Sequence, residues 1–308
     1  MMLSICFLAV ASAWLALPLV PALRELRRPT DARALDVFQG NAADAREGLH
    51  TLLPQLFAAP ESDWSSELSR KNSGLLPQAR LEETDAILFP TMVHLGTLTV
   101  SGCPAGLKSL HAQALSLANR LSTGVKLTAN TTAIIAPGAI FQVLQAPLIL
   151  AGSAPHPPKL KAAIKPAGTV IGATHYPAQE WWRASGDAQV EAGFAIEGDI
   201  LVKGDLIIRR DARVNGSVKA SGRVSIEDGG HIHGNIVATR VTLGPGVSVR
   251  GCILADDSVL LDEGVVVGAP DCPATIVSKT VVLNAGSRVY GGICASDRAC
   301  VPIRYTPY

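Results

Sequence analysis

Two histidines, His231 and His233, stand two residues apart with Asp228 close by, and they are the side chains of this sequence best placed to do chemistry. An imidazole on a strand face could act as a general base, and a histidine pair with one carboxylate could begin a zinc site. The spacing supplies neither a partner to orient the base nor a further ligand to close the site. Solvated surface histidines are the simpler reading. Paired acids, Asp256-Asp257 and Asp262-Glu263, flank a strand and could hold a cation or a sugar, although such pairs commonly sit in solvated turns. There is no GxSxG nucleophile turn and no phosphate-cradling GK[ST] loop. The six cysteines (Cys6, Cys103, Cys252, Cys272, Cys294, Cys300) contain no CxxC pair. We therefore assign no catalytic, cofactor-binding or metal-ligating residue.

The elements that would position these groups come from a repeat. Four glycines sit in equivalent settings: Ile196-Glu-Gly198-Asp-Ile200, Val214-Asn-Gly216-Ser-Val218, Ile232-His-Gly234-Asn-Ile236 and Val249-Arg-Gly251-Cys-Ile253, spaced 18, 18 and 17 residues apart. A degraded copy surrounds Gly268, and another, Val289-Tyr-Gly291-Gly-Ile293, follows an insertion. Repetition at a fixed period marks stacked units that cannot bury an apolar face alone. Each copy alternates with strand periodicity, placing Val214, Gly216, Val218 and Ala220 on one face and Asn215, Ser217 and Lys219 on the other. Turn residues such as Glu227-Asp-Gly-Gly230 and Gly244-Pro-Gly246 separate the strands. The expected fold is all-β, a parallel solenoid with coils of about 17–18 residues, in which Gly198, Gly216, Gly234, Gly251, Ala220, Ala238 and Ala255 are the small repeat positions that fit where the coil bends. With aromatics at 5%, its core must be aliphatic.

Leu110-His-Ala112 and Leu144-Gln-Ala146 carry the same local pattern 34 residues apart, extending the architecture upstream. Between the two blocks, SAPHPP, several lysines and Trp181-Trp182 read as an excursion or hinge, with the tryptophans as a plug. At the other extreme, Leu3 to Leu23 forms an uncharged run of 21 residues, about 31 Å as a helix and enough to span a bilayer. Arg24, Arg27 and Arg28 follow it, which keeps the body cytoplasmic by the positive-inside bias. A cleaved signal peptide, with an exported body, is the rival reading. The expected organisation is a membrane anchor at 1–23, a juxtamembrane helical or linker segment at 24–80, a first solenoid block at 84–152, an insertion at 153–187, a second solenoid at 188–297 and a tail at 298–308.

The stretch GDILVKGDLIIRRDARVNGSVKASGRVSI, residues 198–226, resembles the bactofilin family of polymer-forming cytoskeletal proteins. The resemblance implies a right-handed triangular β-helix that polymerises end to end without nucleotide, often near a membrane, and scaffolds cell-envelope proteins. The upstream block and the insertion depart from the family's single compact core and could cap the rod. A net charge of +1 excludes the broad basic face that nucleic acid requires. We thus expect a non-catalytic scaffold whose partners are itself, the bacterial inner membrane and cell-envelope enzymes, and no cofactor. The alternatives are a hexapeptide-type acyltransferase-like enzyme, with a histidine between coils as base, or an exported glycan-binding solenoid.

Overall fold

A computed structural model describes residues 73–119, 121–152 and 166–303. The expected anchor at 1–23 and most of the segment at 24–80 lie outside the described residues. Among the described residues, no helix is long and apolar enough to cross a membrane.

The chain forms a β-solenoid of about 12 turns. Among the described residues there are 23 strands, all in one hydrogen-bonded sheet. The first block contains β1 (Ser73–Leu75), β2 (Arg80–Leu81), β3 (Thr91–Val100), β4 (Ser109–Leu117), β5 (Ser122–Ile135) and β6 (Ile140–Ala151), stacked in parallel. The second block has three strand rows. One row stacks β11 (Ala195–Glu197), β14 (Arg213–Asn215), β17 (His231–Ile232), β19 (Ser248–Val249), β21 (Val266–Val267) and the start of β23 (Arg288–Cys300). A second stacks β9 (Trp181–Ala184), β12 (Asp199–Val202), β15 (Val218–Ala220), then β18 (Ile236–Leu243), β20 (Ile253–Leu261) and β22 (Ala274–Leu283). The third stacks β10 (Ala188–Val190), β13 (Leu206–Ile208) and β16 (Arg223–Ile226) before entering the far halves of β18, β20 and β22.

Register explains the core. Val214, Ile232, Val249, Val267 and Val289 are successive partners along one row, and each is fully buried. Ile208, Ile226, Leu243, Leu261 and Leu283 do the same on another. Burying each such side chain stabilises the fold by about 1.5–3 kcal/mol relative to leaving it exposed. Alternation is what makes this possible, because every second residue of each short strand must face the same interior column. Branched aliphatics suit it, being stiff and well packed in strands.

Three segments differ from the boundaries expected from sequence. Strands already occur at Ser73–Leu75 and Arg80–Leu81, ahead of residue 84. The described part of 153–187 supplies β9 to the solenoid together with β7 (Val170–Ile171) and β8 (Thr174–Tyr176), where an excursion was expected. The last strand runs on to Cys300.

Candidate functional site at the coil corners and solenoid ends

The small repeat residues sit where one row turns into the next. Gly216, Gly234 and Gly251 are half-buried at this corner, although alternation reads Gly216 as facing the interior. A Cβ on Gly234 would lie 2.5 Å from Ser217 Oγ and 2.6 Å from the carbonyl carbon of Gly216, and one on Gly251 would lie 2.5 Å from the carbonyl oxygen of Gly234. A Cβ on Gly216 would strike the Gly198 carbonyl, and one on Gly198 the Glu180 carbonyl. Glycine is thus required by the coil beneath. Ala220, Ala238 and Ala255, in contrast, are buried at the inner end of the following strand.

The residue after each glycine explains why the space is tight. Asp199 Oδ1 accepts the Ser217 N–H at 2.6 Å, Ser217 Oγ accepts the Asn235 N–H at 3.2 Å, and Asn235 Oδ1 accepts the Cys252 N–H at 2.8 Å. Cys252 Sγ then accepts the Thr275 N–H at 3.4 Å. Each side chain satisfies a corner N–H that the strand ladder cannot reach, and so locks one coil to the next. A second corner repeats the device: Asp187 Oδ1 accepts from Asp205 N, and Asp205 Oδ1 from Arg223 N. Alternation alone places Ser217 with Asn215 and Lys219 on the strand face opposite Val214 and Val218 and does not reveal this bond. The missed signal is a hydrogen-bonding residue at a fixed offset after each repeat glycine.

At the amino end of the second block, residues 166–176 close the stack. Ala167 bridges Ala195, β7 lies antiparallel on β10, and β8 lies antiparallel on β9. His175 stacks on Trp182 with ring centroids 4.2 Å apart, and Tyr176 packs on Trp181 at 5.7 Å. Trp182 Nε1 donates to the Glu197 carbonyl. The tryptophans serve a closing layer, and the outermost edge is three short, irregular pieces, a poor template for another strand.

The carboxyl end is also covered. β23 pairs antiparallel with β6 of the first block around all three sides of the coil. Phe141 faces Ala299, Leu144 faces Ile293, Ala146 faces Gly291 and Ile149 faces Val289, all of them buried. Phe141 is the largest fully buried side chain among the described residues. The turns reciprocate: Gly286 N–H donates to the Ala151 carbonyl at 2.8 Å, and Gly138 N–H to the Val301 carbonyl at 2.7 Å. Both glycines adopt left-handed backbone, φ 77° and 83°, which a side chain would strain. The two blocks therefore meet tail to tail, and the strand edge that ends each one is consumed by the other.

The chemically suggestive residues do not converge. His231 and His233 face outward with ring centroids 4.9 Å apart. Burial, then the positive surroundings of His233, Arg213 and Arg250, push His231 down to about 4. Burial likewise lowers His233, with Arg213 and Arg250 adding to it. Asp228 turns away to pair with Arg210 at 3.5 Å. Asp257 pairs with Arg240, while Asp262 Oδ1 accepts from Glu263 N and Asn284 Nδ2 in a turn. Among the described residues no group of three histidine, cysteine, aspartate or glutamate side chains comes together. Two arginines beside the histidine pair disfavour a cation there.

Residues 188–293 match the family described as Bactofilin, polymer-forming cytoskeletal. No curated protein and no solved structure matches the chain. The matched stretch begins at β10 and ends within β23, which is the part built on glycine corners and side-chain ladders. Residues 188–293 of this chain are a bactofilin domain, the stacked solenoid of a family of polymer-forming cytoskeletal proteins.

Proposed function

We propose that this protein is a membrane-tethered, non-catalytic scaffold that self-assembles through its solenoids and positions cell-envelope proteins on the cytoplasmic face of a bacterial inner membrane. The observation that carries the reading is the bactofilin match over a continuous aliphatic solenoid. A rod of this kind offers long, repetitive faces, and the structural character of the family supports a role without catalysis. The winding is taken as right-handed, following the family resemblance. The apolar run Leu3 to Leu23 and the arginines after it support the tether and its orientation.

Negative-stain imaging of purified protein across a concentration series tests the assembly. Extended or oligomeric particles are the expected result, and monodisperse monomers at the highest concentration would overturn it. A reporter fused after Tyr308 tests the topology: activity confined to the outside of the cytoplasm contradicts the proposed location.

A further inference from the structure

Both ends of the bactofilin block are sealed from within the chain, so copies cannot join by simply adding strands there. We propose that the β6–β23 junction also forms between copies, the first block of one molecule sealing the carboxyl end of the bactofilin block of another. This rests on the self-assembly reading and says which surface performs it.

Three observations lead to it. The junction surface is complementary by construction: four buried pairs, from Phe141–Ala299 to Ile149–Val289, continue one core, and the turn hydrogen bonds at Gly286 and Gly138 complete it. Nothing in these contacts depends on both partners belonging to the same chain, which is the condition for exchange of an identical element between protomers. Next, the connection between the blocks is long. Ala151 lies beside the junction, and Ala167 lies on the closing layer at the opposite end of the second block.

Those two ends lie along one row, whose partners run Ala167, Ala195, Arg213, His231, Ser248, Val266, Arg288 and Leu150. Seven strand spacings of about 4.8 Å make about 34 Å. The sixteen steps from Ala151 to Ala167 reach at most about 55 Å, enough to cover that distance within one chain or to reach a neighbouring copy. Pairing within one chain commits about 34 Å of that reach to spanning the second block. Pairing with a second copy removes that constraint. Lastly, within the bactofilin block the closing layer of residues 166–176 occupies the other end, which leaves the carboxyl end as the one that takes up a strand partner from outside the block.

The test uses a native cysteine. Cys294 is free, exposed and the direct antiparallel partner of Val143, so a cysteine at 143 faces it at a separation suited to a disulfide. A full-length V143C/C294S chain is co-expressed with a differently tagged wild-type chain and then oxidised. The V143C chain with Cys294 retained shows that the bond closes, and I140C with Cys300 provides a second pair in the same junction. The expected result is a disulfide-linked heterodimer of doubled mass, lost when the tagged partner carries C294S. Assemblies seen by imaging without any mixed disulfide would overturn the proposal while leaving self-assembly intact. Monodisperse particles without mixed disulfide would overturn both.

Discussion

The two blocks stack the same kind of coil by different means. The bactofilin block turns its corners, from β11 to β17, with strands of two to four residues separated by glycines and side-chain ladders. From β3 to β6 the first block uses strands of 9 to 14 residues and turns inside them by register shifts, at His94/Thr97, Ala112/Ala114 and Thr128/Thr132. Its polar rungs join side chain to side chain, as Asn130 Nδ2 to Gln113 Oε1, or side chain to carbonyl, as Thr131 Oγ1 to the Gln113 carbonyl. Toward the junction the second block adopts the same habit, its strands lengthening from β18 through β20 and β22 to the 13 residues of β23. A bend can thus be made by residues dedicated to it or absorbed by a bulge. The two halves become alike where they have to meet.

The sharpest way to break the comparison is at the meeting point. Phe141→Ala empties a fully buried site shared by both blocks and is expected to cost about 3–5 kcal/mol in chemical denaturation. A much smaller loss would mean that the junction contributes little and that the blocks are independently stable. The corners come next. Gly234→Ala drives a Cβ to 2.5 Å from Ser217 Oγ and should cost about 1–3 kcal/mol. Gly124→Ala in the first block, whose Cβ would meet nothing closer than Gln142 Oε1 at 3.4 Å, should change stability by less than about 1 kcal/mol. Equal losses in the two variants would erase the distinction between dedicated and absorbed corners.

Removing one rung is a finer probe. Asn235→Ala leaves the Cys252 N–H without its acceptor, an expected loss of about 1 kcal/mol, whereas Asn130→Ala removes a half-buried side-chain pair and should cost less than half of that. The gentlest probe is pH. His111 in the first block and His231 in the second are each lowered from 6.5 to about 4, chiefly by burial, with Lys126 adding to the first and His233, Arg213 and Arg250 to the second. Both are neutral when folded, so the unfolded chain binds more protons between those values, and stability falls as pH drops from about 6.5 toward 4. Urea midpoints at pH 7 and 4.5 should converge in His111→Asn and, to a lesser extent, in His231→Asn. Unchanged acid sensitivity in both would show that neither histidine is held neutral by the fold.

How much of this was legible in the sequence follows from the same contrast. Gly216, Gly234 and Gly251 announced coils because each must lack a Cβ above a particular carbonyl, and that constraint recurs at the coil period. In the first block the pattern around Leu110 and Leu144 located β4 and β6, while β5 between them went unmarked because its bends are register shifts, which demand no residue type. The tryptophans were visible, but their stacking on His175 and Tyr176 depends on a hairpin of strands of three and four residues, too short for alternation to signal. The junction was the least readable feature. Phe141 and Leu144 look like any inward pair, and only tertiary pairing reveals that a strand separated from them by about 150 residues runs against them.

That separation sets an order of events. β6 is synthesised well before β23, and at about 5–20 residues per second the ribosome needs roughly 7–30 s to reach Cys300 after finishing Ala151. Throughout that interval a nascent chain carries an apolar sheet edge whose own partner does not yet exist. On a polysome the strand that fits it is already present on the molecule ahead.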